Sequence, residues 1–189
     1  MKFCSRCGHR VRLAIPEGDT LPRYLCDDCG QVFYSNPKVI VGTLPVWGEK
    51  ILLCRRSIEP RKGCWTLPSG FLEDGETLAE GARRETVEET GVDVTLGPLF
   101  SVFDIPHINQ VYLLYRAGLT GPEHPESTPE SAAIRLFPAG DLPWAELAFR
   151  AVEFALRRYT GGESLGMARV HLGSYIRGEQ DPWILQDGS

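Results

Sequence analysis

Gly70-Phe71-Leu72-Glu73-Asp74-Gly75-Glu76-Thr77-Leu78-Ala79-Glu80 runs on into Gly81-Ala82-Arg83-Arg84-Glu85-Thr86-Val87-Glu88-Glu89-Thr90-Gly91-Val92, and reads as a loop feeding a helix. Thr77 with Glu80 three residues later matches a capping box, so Thr77 is the expected N-cap. Gly91 is the natural stop, because glycine accepts the left-handed conformation that ends a helix. At ~100° per residue, Glu85, Glu88 and Glu89 fall within one arc of about 100° on the helix surface. Carboxylates crowded in this way repel, each like-charge pair costing roughly 0.2–0.5 kcal/mol in water. A hard divalent cation takes oxygen ligands and converts that repulsion into a binding site. Mg²⁺ combines a few carboxylates with waters and substrate phosphate oxygens, so such a face suits phosphoryl chemistry. Taken by itself, the same charge run also fits a solvated helix face with Arg83 and Arg84 beside it.

Working outward, residues 39–46 and 50–54 are apolar runs joined at Trp47-Gly48-Glu49 and read as consecutive strands. Further strands are expected at 93–104, 110–117 and 134–137, with a short final one near 169–172. The segment 118–131 is rich in Pro, Gly, Glu and Ser and reads as a surface loop. Leu147, Ala148, Ala151, Val152, Ala155, Leu156 and Tyr159 keep helical spacing, which predicts a second helix over 147–159. Arg55, Arg56 and Arg61 lie between the second strand and the acidic stretch. They are placed to reach the phosphate oxygens of a substrate, although a surface role fits them as well. Trp65 and Phe103 could stack on a planar ring, but a core position is the plainer reading of both. Cys54 reads as a small buried hydrophobe and Cys64 as inert. His107 and His171 read as structural.

Residues 1–35 form a separate unit. Cys4-Ser5-Arg6-Cys7-Gly8 and Cys26-Asp27-Asp28-Cys29-Gly30 are paired C-x-x-C-G knuckles separated by eighteen residues. Cys4, Cys7, Cys26 and Cys29 are therefore the expected ligands of a tetrahedral structural Zn²⁺, in a β-rich ribbon. A closed four-thiolate site supplies folding energy and no catalysis. The glycine after each knuckle is expected to turn the backbone and aim N–H groups at the thiolates. The basic residues of this unit (Lys2, Arg6, Arg10, Arg12, Arg23) are offset by Glu17, Asp19, Asp27 and Asp28, which favours a structural or dimer-forming role over nucleic-acid contact.

The whole chain of 189 residues suits one ordinary domain, 36–189, plus this appendage. A formal net charge of −5 gives no global attraction to nucleic acid or to an anionic membrane. No stretch approaches the ~20 apolar residues of a membrane span. The N-terminus reaches the first knuckle without an apolar segment, so a cytoplasmic location is expected.

The loop and helix together resemble the Nudix box, G-x5-E-x7-R-E-U-x-E-E-x-G-U, where U is a bulky apolar residue. Gly70, Glu76, Arg84, Glu85, Glu88, Glu89, Gly91 and Val92 occupy their positions; Thr86 departs from the first U, with a methyl group that can still pack. The resemblance implies an α+β chain built on an α/β/α sandwich around a mixed sheet. It implies that Glu85 and Glu89 hold catalytic Mg²⁺ or Mn²⁺, with Glu88 supporting them and the Gly70 carbonyl as a further ligand. Glu76 and Arg84 are expected to pair and tie the loop to the helix. A further carboxylate, and possible general base, is sought among Glu123, Glu126 and Glu130, with Glu130 preferred because it directly precedes the strand at 134–137.

Ribbon and box together are similar to a bacterial and plant subgroup related to the chloroplast FAD pyrophosphatase of plants. Tyr34–Gly42, Gly63–Leu72, Phe103-Asp104-Ile105-Pro106, Pro129-Glu130-Ser131, Arg135-Leu136-Phe137 and Leu147-Ala148-Phe149 carry that likeness. It implies FAD or ADP-ribose as substrate, cleaved at the diphosphate into two monophosphates, and by family analogy a homodimer. An NADH pyrophosphatase is the alternative within the family, but its S-Q-P-W-P-F-P array has no counterpart here. A non-catalytic nucleotide sensor or nucleic-acid-binding regulator is the alternative outside it, and the complete box argues against that.

Overall fold

The computed structural model describes residues 1–163 and 169–176. The chain divides into two compact units, Met1–Pro37 and Lys38–Ser189.

In the first unit, β1 (Arg12–Ala14), β2 (Arg23–Leu25) and β3 (Val32–Phe33) form an antiparallel sheet in that order. Each C-x-x-C-G knuckle closes the same way: Gly8 N–H donates to Cys4 O and Gly30 N–H to Cys26 O, both at 2.9 Å. Both glycines have positive φ, 79° and 71°. The glycine N–H closes the turn on a carbonyl, and the turned backbone aims other N–H groups at sulfur as expected: those of Arg6 and Cys7 reach the Cys4 thiol and that of His9 the Cys7 thiol. Cys4 and Cys26 are the buried residues of this unit.

In the second unit, β4 (Lys38–Trp47) and β5 (Lys50–Arg56) are followed by two short strands, β6 (Trp65–Thr66) and β7 (Ser69–Phe71). Then come α1 (Leu78–Thr90), β8 (Val94–Ile105), β9 (Gln110–Leu119), β10 (Ser131–Pro138), α2 (Arg150–Arg158) and β11 (His171–Ser174). The sheet order is β10-β5-β4-β9-β8-β11. β4 runs parallel to β9, and β11 parallel to β8; the other neighbours are antiparallel, so the sheet is mixed.

Strand alternation assigns the two faces. On β5, Ile51 and Leu53 pack with Val152, Ala155 and Leu156 of α2. Leu52 and Cys54 pack on the opposite face with Val92, Val94 and Ile134. On β4, Leu44 joins the α2 side, while Thr43 hydrogen-bonds Thr86 of α1 at 2.7 Å. The result is the expected α/β/α sandwich.

β4 and β5 pair directly only at Val46–Ile51 and Trp47–Lys50. Beyond that the sheet is split, with β6 pairing β5 and β7 pairing β4. Gly42 permits the wedge, since a Cβ there would collide with Pro68 O and with Ser69.

The helix predicted from 147 starts later, at Arg150. Ala148 N–H donates to Trp65 O at 2.8 Å and Leu147 bridges to Trp65, so 147–148 are held extended by the wedge. The final strand is present but lies at His171–Ser174, two residues beyond its expected start. Residues 177–189 of the expected domain lie outside the described residues. Among the described residues, no helix is long and apolar enough to cross a membrane.

Candidate active site

Helix α1 carries the acidic face. Thr77 is its N-cap, with the capping box complete in both directions, and Gly91 closes it at φ 67°. Thr86 is fully buried where a bulky apolar residue was expected. Its hydroxyl donates to Ala82 O at 2.7 Å and meets Thr43 Oγ1. The polar substitution is therefore matched from β4 and leaves no unpaired group.

Arg84 organises the carboxylates. Its Nε donates to Glu76 Oε1 at 2.6 Å and its Nη2 to Glu76 Oε2 at 3.0 Å, the pairing expected between loop and helix. The same guanidinium donates to Glu85 Oε1 at 2.7 Å, Glu88 Oε2 at 3.0 Å and Phe71 O at 3.1 Å. A planar five-donor group suits this multiple anchoring.

The three helix glutamates occupy different environments. Glu88 is exposed. Glu85 is 8% exposed and lies against Gly70, where any Cβ would overlap its carboxylate. Burial pushes Glu85 up from the usual carboxylate range, Arg84 opposes this, and the charges of Glu88 and Glu130 add to the rise. Glu89 is raised further, to about 7. Burial is the main cause and the Glu85 charge adds to it, while the Ser69 N–H, Cys54 and Arg56 act against it.

These oxygens are not gathered as a ligand shell. Among the described residues, the clusters with ligand atoms within 4.8 Å of one another are Cys4-Cys7-Cys26-Cys29 and Cys7-His9-Asp28. Arg84 is the counter-charge of Glu85 and Glu88, and Glu89 accepts from the Ser69 N–H and the Cys54 thiol. The donor set is nonetheless all oxygen and anionic, as hard cations such as Mg²⁺ or Mn²⁺ require.

Glu130 lies immediately before β10. Ser57 Oγ and N donate to Glu130 O at 2.6 and 3.3 Å, which fastens it beside the end of β5. Its charge reaches Glu85. Thr128 anchors the same loop to α1, donating to Glu89 O at 3.1 Å and accepting from the N–H groups of Glu130 and Ser131. Glu123 and Glu126 are exposed in that loop.

The three arginines separate. Arg56 lies 5.0 Å over the Phe149 ring, and its charge acts on both Glu89 and Tyr112. Each arginine donates its Nε to a carbonyl of the 57–64 loop, Arg56 to Pro60 O at 2.7 Å and Arg55 to Gly63 O at 2.6 Å, and Arg55 lies 6.0 Å from the Trp65 ring. Consecutive strand residues point to opposite sides, so the two cannot serve one site equally. Arg61 is exposed at φ 64° in the 57–64 loop, with no hydrogen bond or ion pair to the carboxylates. Trp65 and Phe103 are core residues, packed on Phe137 and Phe154.

Cys54, Ser69 and Thr128 contact Glu89, and the sequence offered no signal for them. Period-2 alternation places Cys54 on the α1 face, but its partner depends on the wedge. The Cys54 thiol is pushed well above its ordinary value by burial, with the Glu89 charge adding to the rise.

In the first unit, Cys4 Sγ and Cys29 Sγ are 3.7 Å apart, and Cys7 Sγ and Cys26 Sγ 3.5 Å. Zn–S bonds of ~2.3 Å in a tetrahedron put sulfurs about 3.8 Å apart, so the four thiols fit that ion. None of the six cysteines is in a disulfide.

Comparison with known proteins agrees with this geometry. The family model described as "NUDIX domain" matches residues 36–157, and the one described as "Nudix N-terminal", a zinc ribbon, matches residues 2–35. A NUDIX hydrolase structure from Nitrosomonas europaea is similar at TM-score 0.87 and 49% identity, covering 92% of this chain and 98% of that one. An ADP-ribose pyrophosphatase of Methanocaldococcus jannaschii is 42% identical over 73 residues, 39% of this chain and 43% of that protein. An NAD-capped RNA hydrolase NudC of Haemophilus influenzae is 35% identical over 97 residues, 49% of this chain and 34% of that protein. The chain thus spans less than half the length of these two curated relatives. With the box, the split sheet and a family match over more than half its length, the chain belongs to the Nudix hydrolase family.

Proposed function

We propose that the protein hydrolyses the diphosphate linkage of a nucleoside diphosphate derivative, FAD or ADP-ribose, into AMP and a second monophosphate. The observation that carries this reading is the placement of Glu85 and Glu89, one turn apart on α1, against the Gly70 and Ser69 backbone of β7. Glu85, Glu89, Glu88 and the Gly70 carbonyl would hold Mg²⁺ or Mn²⁺. Such ions neutralise a diphosphate and make a bound water nucleophilic near neutral pH. Glu130 would act as base, taking the proton of a water as its oxygen attacks phosphorus and a monophosphate leaves. Arg84 keeps Glu85 and Glu88 ordered before the ion arrives. Arg56 is the arginine we assign to the substrate diphosphate, with Phe149 and Tyr112 forming the aromatic surroundings of that contact. Zn²⁺ at the four cysteines serves the fold of the first unit. A cytoplasmic homodimer acting on a small molecule, not on nucleic acid or membrane, completes the proposal.

Similarity to an ADP-ribose pyrophosphatase supports the substrate class, and similarity to an NAD-capped RNA hydrolase supports a second reading, an NAD-type dinucleotide. A hydrolysis panel with Mg²⁺ tests both, comparing FAD, ADP-ribose, NADH, NAD-capped RNA and a nucleoside triphosphate by product analysis. Preference for FAD or ADP-ribose, with AMP among the products, is expected. Preference for NADH or capped RNA would establish the second reading, and silence across the panel would remove both.

A further inference from the structure

One oxygen of Glu89 receives two hydrogen bonds. Ser69 N–H donates to Oε2 at 3.0 Å, and the Cys54 thiol lies 3.5 Å from the same Oε2. The donors come from the two sides of the split sheet: Cys54 from β5, Ser69 from β7. Cys54 is 1% exposed, so no water competes for its thiol. Thr66 O lies 3.6 Å from the thiol as a second acceptor, and the Ser131 hydroxyl is a further partner able to donate to the sulfur. A thiol has one proton, and an ionised carboxylate is a stronger acceptor than a carbonyl. The S–H therefore goes to Glu89 whenever that group is charged.

We infer that Cys54 is a positioning residue for the divalent-cation site. Its S–H and the Ser69 N–H fasten Oε2 of Glu89 and so fix the carboxylate that would hold the cation. This rests on reading Glu89 as a metal ligand. Outer partners that orient a ligand are commonly worth 10–100-fold in metal affinity. A backbone N–H cannot be removed by substitution at Ser69, whereas the thiol can be removed at Cys54. The competing role is packing alone, since Cys54 sits among Leu52, Val92 and Ile134.

Mn²⁺ binding to the full zinc-loaded chain, followed by electron paramagnetic resonance, separates these roles in wild type, Cys54→Ala, Cys54→Ser and Glu89→Gln, with a thermal melt of each. Cys54→Ala is expected to weaken Mn²⁺ binding roughly 10-fold or more. Cys54→Ser keeps a donor and is expected to recover most of that loss, whatever its melting temperature. The Mg²⁺ concentration giving half-maximal hydrolysis should rise in Cys54→Ala with little change in KM at saturating metal. Wild-type Mn²⁺ affinity in Cys54→Ala overturns the inference. So does a Cys54→Ser variant as impaired as Cys54→Ala, which would mean packing alone. Wild-type Mn²⁺ affinity in Glu89→Gln instead overturns the underlying assignment of Glu89, and the inference with it.

Discussion

Gly70 lies so close to the Glu85 carboxylate that a side chain of any size at position 70 would overlap it. β7 pairs Gly70 with Val41 of β4, so the backbone there has little freedom to retreat. Gly70→Ala should therefore either displace Glu85 or unzip β7. The expected result is a folded protein by circular dichroism, with Mg²⁺-dependent turnover reduced at least about 100-fold. A Gly70→Ala enzyme with normal kcat would show that the tight apposition has no part in the chemistry.

Glu85→Gln keeps the shape of the side chain and removes its charge. Partners that only orient a ligand are worth 10–100-fold, so loss of the ligand itself should lower kcat on the order of 100-fold or more. Arg84 keeps Glu76 and Glu88, and the melting temperature should change little. Steady-state kinetics at saturating Mg²⁺ decides this; near-normal turnover would sink the assignment.

The raised Glu89 predicts a pH dependence of known sign. Its folded value of about 7 exceeds the unfolded carboxyl value of about 4.3, so the folded protein holds an extra proton between the two. The stability this contributes is fully present below about 4.3 and is lost as pH rises through 7. Without added divalent ion, melting temperature should fall over that window relative to Glu89→Gln. Saturating Mg²⁺, which selects the ionised form, should cancel the fall, and Mg²⁺ affinity should rise with pH up to about 7.

Arg55 and Arg56 are expected to differ sharply in kinetics. A charged hydrogen bond is worth about 1.5–3 kcal/mol, so Arg56→Ala should lower kcat/KM by roughly 10-fold or more. Arg55→Ala should leave kcat/KM within about 2-fold, since the Glu89 carboxylate feels the Arg56 charge while Arg55 lies beside Trp65 on the other side of the strand. Equal effects of the two substitutions would dismiss the assignment of Arg56 to the diphosphate.

The first unit has little core apart from its sulfurs, with Phe3, Leu13, Ile15 and Leu21 all exposed. Metal removal by a strong chelator should therefore unfold 1–37, which limited proteolysis would register as new cleavage sites. Residues from Lys38 onward have their own core and should resist under the same conditions. A chelated chain with an intact first unit would show that zinc is not its staple.

Much of this protein is written locally. The capping box at Thr77–Glu80, the stop at Gly91, the acidic arc Glu85-Glu88-Glu89 and the two C-x-x-C-G knuckles follow from hydrogen-bonding periods and ligand spacings only a few residues long. Such patterns are complete within the segment that carries them, so the sequence by itself determined the helix, the candidate metal face and the four candidate sulfur ligands. It also determined the strands that alternate or run apolar.

Only the tertiary structure decided what meets what across the split between β4 and β5. The later start of α2 follows from the Trp65–Ala148 hydrogen bond. The division of Arg55 from Arg56, the Thr43–Thr86 pair, the approach of Glu130 to Glu85 and the bond from Cys54 to Glu89 all join residues distant in sequence or set by strand register. A one-residue slip of β5 would send Cys54 to the α2 face and bring Arg55 round in place of Arg56. Register and the wedge of β6 and β7 are properties of the assembled sheet, and no single segment encodes them.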